Sequence, residues 1–297
     1  MRNAIIHSPK ERFVFVHYHI LKNGGSTIES ILEREFGRSF ASFHGPDRSS
    51  RLDGRDLERF LRCNSSIAAV SSHHLRYPKP DIRRFVLFDC CFLRHPLERL
   101  DSLYRYLRNR HSEDRYSEWA KRMSAREFLS ALRNNGPDMI GNVQVTQLAS
   151  GGAFTRLLNC DDLDRATKIV QEMAVPGLVE MFDESLVAAE YFLKPAFPHL
   201  SLEFVPRNVT KTRAPEGHNP SDRLMRLWGS DLYEDLVRLN QLDLELYRRA
   251  GNEVQRRVRL IPDADNRLLE FRARCAQLRG EECLPAEQYL SAKATGD

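Results

Sequence analysis

Apolar positions along the chain follow two rhythms. Residues 13–20 are apolar or aromatic at most positions, the signature of a strand buried on both faces, and Phe85–Leu93 repeats it. After the first run, Ile28, Ile31, Leu32 and Phe36 recur at helical spacing; after the second, Leu97, Leu100, Tyr104 and Leu107 do the same. Pro96 suits the first turn of that later helix. Residues 67–70 form a short β-compatible run, and 175–182 read as a further strand followed by a helix to about residue 193. Helices are also expected at 56–61, from the Ser124–Glu127 capping box to about 132, over 138–149 and over 162–174. A long helical region at 221–249 is expected to break near Gly229, and the rest of 37–66 reads as a surface excursion. Strands alternating with helices predict an α/β fold with a mainly parallel central sheet covered by helices on both faces. The expected division is a main domain at 1–252 and a charged helical extension at 253–297.

The turn between the first strand and helix carries the most specific chemistry. It reads His19-Ile20-Leu21-Lys22-Asn23-Gly24-Gly25-Ser26-Thr27. A glycine turn opening a helix offers backbone N–H groups to an anion, where the helix dipole adds about half a positive charge. Gly24 and Gly25 permit close approach, Ser26 and Thr27 add hydroxyls, and Lys22 adds a full charge. This is not a Walker A loop, in which the lysine follows the glycines. A solvated lysine before an ordinary strand–helix turn is the plainer reading of the same residues.

A second basic stretch lies at residues 94–106. Arg94 ends a strand, where ligands of open α/β sheets bind, and Ser102 is expected to share a polar helix face with Arg99 and Arg105. An arginine fork with a serine hydroxyl is a phosphate clamp.

Lys-x-Gly-Gly-Ser-Thr followed by Arg-x-Pro-x-x-Arg-x-x-Ser-x-Tyr resembles the two nucleotide-binding motifs of sulfotransferases that use 3′-phosphoadenosine 5′-phosphosulfate (PAPS). Further segments are similar to the carbohydrate branch, that of heparan sulfate 2-O-sulfotransferases and bacterial relatives. They are His73-His74-Leu75-Arg76-Tyr77, residues 142–148, residues 177–185 and Leu242-Asp243-Leu244-Glu245-Leu246-Tyr247. The resemblance spans roughly residues 12–250. It departs at Asn23, where many relatives have a small or hydroxyl residue, and before His73, where a glycine is often found.

This resemblance implies a P-loop-like three-layer sandwich and transfer of a sulfuryl group from PAPS to an acceptor hydroxyl, releasing adenosine 3′,5′-bisphosphate. Lys22, Asn23, Gly24, Gly25, Ser26 and Thr27 would hold the 5′-phosphosulfate. Arg94 and Ser102 would hold the 3′-phosphate, and Lys211 or Arg213 would close over the nucleotide. Lys22 would also stabilise the leaving phosphate. His74 is the expected general base, with Glu29 the fallback, and His73, Asn142 and Gln144 are expected to contact the acceptor. Helix capping or a core amide is the other reading of Asn142 and Gln144. A small hydroxylated metabolite is the alternative acceptor; an ATP-dependent kinase and a non-catalytic nucleotide-binding module are the alternative functions. No metal is expected.

Composition narrows the partners. Forty-five basic against 41 acidic side chains leave +4, too small an excess to argue for nucleic acid. No run approaches the ~18 apolar residues of a membrane span, and Met1 to His7 lack an apolar signal core, so a cytoplasmic protein is expected. The six cysteines form no C-x-x-C pair; Cys90 and Cys91 read as small core residues.

Overall fold

The computed structural model describes residues 11–47, 49–153, 156–207 and 220–280. Five strands lie among them: β1 (Arg12–Tyr18), β2 (Phe40–Ser42), β3 (Ala69–Ser72), β4 (Phe85–Leu93) and β5 (Val175–Leu178). Their order is β2-β3-β1-β4-β5, and each neighbouring pair is parallel. The expected parallel sheet, covered on both faces, is therefore present. The two most apolar runs occupy its interior as β1 and β4.

Alternation along β1 separates the two cores. Val14, Val16 and Tyr18 face a cluster containing Leu57, Leu61, Val145, Leu163 and Leu246. Phe15 faces the opposite cluster, with Ile28, Ile31, Leu32, Phe92 and Leu186. Helices alone build a third cluster around Leu100, Phe128 and Trp228. Cys90 and Cys91 are buried as expected. Helix Gln241–Arg259 runs unbroken across residue 252; Val254 joins the first core, and Ile261, Phe271 and Cys275 join the second.

Several boundaries differ from the sequence reading, each for a local reason. The strand expected at 175–182 ends at Leu178, because Ser185 Oγ accepts the Leu178 N–H and donates to the Met181 carbonyl, drawing the chain into helix Phe182–Leu193. The helix expected at 138–149 is split into a 3-10 turn, Pro137–Met139, and helix Val143–Ala149, with Asn142 between them in the left-handed region at φ 45°. The region after 220 breaks at Gly229, as expected, and again at Asn240, giving helices Pro220–Trp228, Ser230–Leu239 and Gln241–Arg259. Strand β2 and helix Arg115–Arg122, capped by Asp114, were not legible from periodicity. No described helix is long and apolar enough to cross a membrane.

Candidate active site at the carboxyl ends of the strands

The loop after β1 closes by two left-handed residues, Lys22 at φ 70° and Gly24 at φ 76°. Helix Gly25–Phe36 starts directly after it; the Thr27 and Ile28 N–H groups return to the Gly24 carbonyl at 3.0 and 3.3 Å. The Thr27 amide is thus engaged within the turn, and the anion-facing amides are those before it. Gly25 is obligatory for a second reason: a Cβ there would stand 1.9 Å from His19 Nε2. Ser26 is exposed, whereas Thr27 is buried with its Oγ1 accepting the Arg207 N–H.

Two cations meet beside this loop. Lys22 Nζ lies 4.3 Å from the Tyr106 ring centroid, and Arg94 Nη1 donates to the Lys22 carbonyl at 3.2 Å. Burial, with the Arg94 charge, pushes the Lys22 pKa down to about 8. Burial likewise lowers the Arg94 pKa, and its Nε is buried without a hydrogen-bond partner. A like-charged pair with an orphaned buried donor fits a phosphate-bearing ligand. Ser102 is half-buried on the following helix. Arg99 is not on that face: it is buried in the core and donates to the Met139 carbonyl at 2.9 Å, with Asp243 as its nearby counter-charge.

Asn23, Asn142 and Gln144, expected beside ligands, all take part in framework hydrogen bonds. Asn23 Nδ2 donates to the Phe92 carbonyl and to Gln144 Oε1, both at 2.8 Å. Gln144 is fully buried; its Oε1 also accepts the Arg94 N–H and its Nε2 donates to the Arg94 carbonyl, each at 2.9 Å. Asn142 Oδ1 accepts the N–H groups of Leu242 and Asp243, and Asp243 in return accepts those of Gln144 and Val145. Two helix starts therefore cap each other. Asn142 and Gln144 thus make the contacts of the capping and core-amide alternative; the Gln144 carboxamide is fully engaged, whereas Asn23 Oδ1 is buried without a partner.

The two histidines of the pair have different neighbours. His74 Nδ1 accepts the Gly45 N–H at 2.9 Å, so the side chain is held by the loop after β2. The His73 ring instead lies against that of His19, 3.6 Å between centroids with the planes tilted by 33°, and His19 packs against Gly25. Of the pair, both beyond the end of β3, His73 is the one beside His19, which packs against Gly25. Burial and neighbouring His19 hold His73 below the ordinary imidazole pKa.

Sequence reasoning kept Glu29 only as a fallback and overlooked what surrounds it. His17 and His19 follow Phe15 on one face of β1, and the β1–β3 register sets His17 beside Ser71. His17 Nδ1 lies 2.9 Å from Ser71 Oγ, which donates to Glu29 Oε1 at 2.9 Å; His19 Nδ1 lies 3.1 Å from the same oxygen. Burial would raise the Glu29 pKa, but the hydrogen bonds from His19 and Ser71 hold it well below the carboxylate range. The His-x-His alternation leading into the glycine turn was the available signal. Lys211 and Arg213 lie outside the described residues.

Comparison with known proteins agrees with this geometry. A family model described as "Sulfotransferase family" matches residues 4–248. The chain is also similar to an uncharacterized protein of Archaeoglobus fulgidus, 24% identical over 242 residues, covering 80% of this chain and 95% of the other.

Replacing Gln144 tests the amide junction. Gln144→Leu keeps the volume but strips partners from Asn23 and from both backbone groups of Arg94. Each buried polar group left unpaired costs about 1–3 kcal/mol. Urea unfolding should show a loss in that range or above; an unchanged midpoint would mean that the junction does not fix the loop.

Proposed function

The chain belongs to the sulfotransferase family, and from that premise we propose that it transfers a sulfuryl group from PAPS to a carbohydrate hydroxyl, with His73 as general base. The observation that carries the donor side is the Lys22–Arg94 pair beside the glycine turn, with Arg94 Nε buried and unpartnered. PAPS, the donor general to this family, supplies the sulfuryl group on an activated phosphosulfate linkage. The early amides of helix Gly25–Phe36 and the exposed Ser26 hydroxyl bind the 5′ end. Arg94 and Ser102 bind the 3′-phosphate, the group that distinguishes this donor from ATP. Lys22 places its charge where the bridging oxygen becomes negative, a contribution that grows toward the transition state.

On the acceptor side, His73 takes the hydroxyl proton as the oxygen attacks. His19, lying against it and tied to Glu29, keeps its ring in place. The carbohydrate reading is supported by the segments at 73–77 and 177–185 that resemble that branch. Arg51, whose charge acts on Arg76, and His44, whose ring meets those of both His73 and His74, add polar groups suited to a hydroxylated acceptor.

Candidate glycans incubated with PAPS should gain one sulfate mass by mass spectrometry. Sulfation confined to small metabolites would remove the carbohydrate reading and retain the chemistry. Lys22→Ala should lower turnover by ~10²–10³, the order for one preorganised donor.

His73→Ala should lose ~10²–10⁴ in turnover, the range for a positioned base. Calorimetry should show that it keeps its affinity for adenosine 3′,5′-bisphosphate, and His74→Ala should stay within a few-fold of the parent. The reverse ranking would return the base to His74.

The lowered Lys22 pKa sets an alkaline limit. A depressed lysine is charged below its pKa and neutral above it, so kcat/KM, which reports the free enzyme, should fall as pH rises through about 8. Lys22→Arg keeps its charge through that range and should flatten the limb even where its turnover is lower. A limb unaltered in that variant would assign the titration to another group.

A further inference from the structure

The atoms that hold the base have a second chemistry. We propose that His19, Glu29 and His73 form a binding site for a divalent ion of the zinc class, immediately beside the glycine turn. Their ligand atoms all lie within 4.8 Å of one another. Two imidazoles and one carboxylate, with a fourth position left to solvent or substrate, are a donor set that zinc accepts in tetrahedral geometry. Oxygen-seeking magnesium does not favour it.

The distances suit an ion with little rearrangement. His19 Nδ1 and Glu29 Oε1 stand 3.1 Å apart. Bonds of about 2.0–2.1 Å in a tetrahedron separate two ligand atoms by ~3.3 Å, so the ion takes the place of the hydrogen bond between them. The His19 and His73 planes are tilted by 33°, and a small rotation and shift of His73 brings its ring nitrogen to the ion and completes the set.

Support comes from outside the three ligands. Ser71 Oγ donates to Glu29, and His17 Nδ1 lies against Ser71 Oγ in turn. Such outer partners orient ligating carboxylates in metal sites. Glu29 stands on helix Gly25–Phe36, while His17 and Ser71 stand on adjacent strands paired in fixed register. His19 is only 7% exposed, so the ion would be largely enclosed. In the reading of His73 as base, an ion there takes the lone pair that would accept the acceptor's proton, and sulfuryl transfer stops.

The full chain, stripped with a chelator and titrated with zinc chloride by calorimetry, should take up one ion saturably, with no comparable uptake of magnesium. Glu29→Gln and His73→Gln, each verified as folded by circular dichroism, should weaken that uptake at least tenfold; the exposed His199→Ala should leave it unchanged. X-ray absorption of the zinc-loaded chain should show nitrogen and oxygen neighbours only. Absence of saturable uptake, uptake indifferent to both site variants, or a sulfur neighbour would overturn the site. Turnover should fall in step with zinc occupancy. Full occupancy with undiminished turnover would leave the ion site standing and remove His73 as the base.

Discussion

The carboxamide of Gln144 is the interaction on which the site depends. It joins the loop after β1, through Asn23, to both backbone groups of Arg94 at the end of β4. Its own helix starts on Asp243, whose helix starts on Asn142. Four stretches distant in sequence thus meet in one hydrogen-bonded unit, and Lys22 and Arg94 stand at its edge. Inside a protein such bonds are strong when complete and costly when one member is missing. The loop keeps its shape because the interior requires it, and Lys22 and Arg94 meet beside it.

Charge in the site is arranged against the preference of an empty protein. Lys22 and Arg94 are partly desolvated and repel each other, which lowers the pKa of Lys22. Glu180 and Glu98 temper Arg94 from the side, and Glu98 is itself shared with Arg223. In the proposed reading, phosphate groups meeting Lys22 and Arg94 relieve both desolvation and repulsion, so the energetic cost carried by the folded chain returns as affinity.

The fold was largely legible because its signals are local and redundant. Apolar runs at β1 and β4, helical stripes after them, and proline and glycine punctuation do not depend on distant partners. The glycine turn was legible for the same reason, since Gly24 takes a left-handed φ that glycine adopts without strain. What escaped was long-range. Nothing near Gln144 announces that it will be surrounded by backbone groups from β4, and nothing near Arg99 announces that Asp243 will draw it inward. The different surroundings of His73 and His74 depend on loops packed from elsewhere, around Gly45 and His19. The cluster around Glu29 needed the β1–β3 register, which periodicity cannot supply.

That register has a consequence for how the chain assembles. Opposite His17 sits Ser71, and opposite Tyr18 sits Ser72. A slip of one residue between the strands would bring an imidazole into an aliphatic interior and strand the Glu29 carboxylate, since side-chain direction reverses with each step. Central parallel strands are assembled late and from far apart in sequence, where mispairing is a hazard. The polar ladder beneath the glycine turn therefore works as a proofreading mark for strand alignment: a misaligned sheet loses its hydrogen bonds at the very place where the chemistry is proposed.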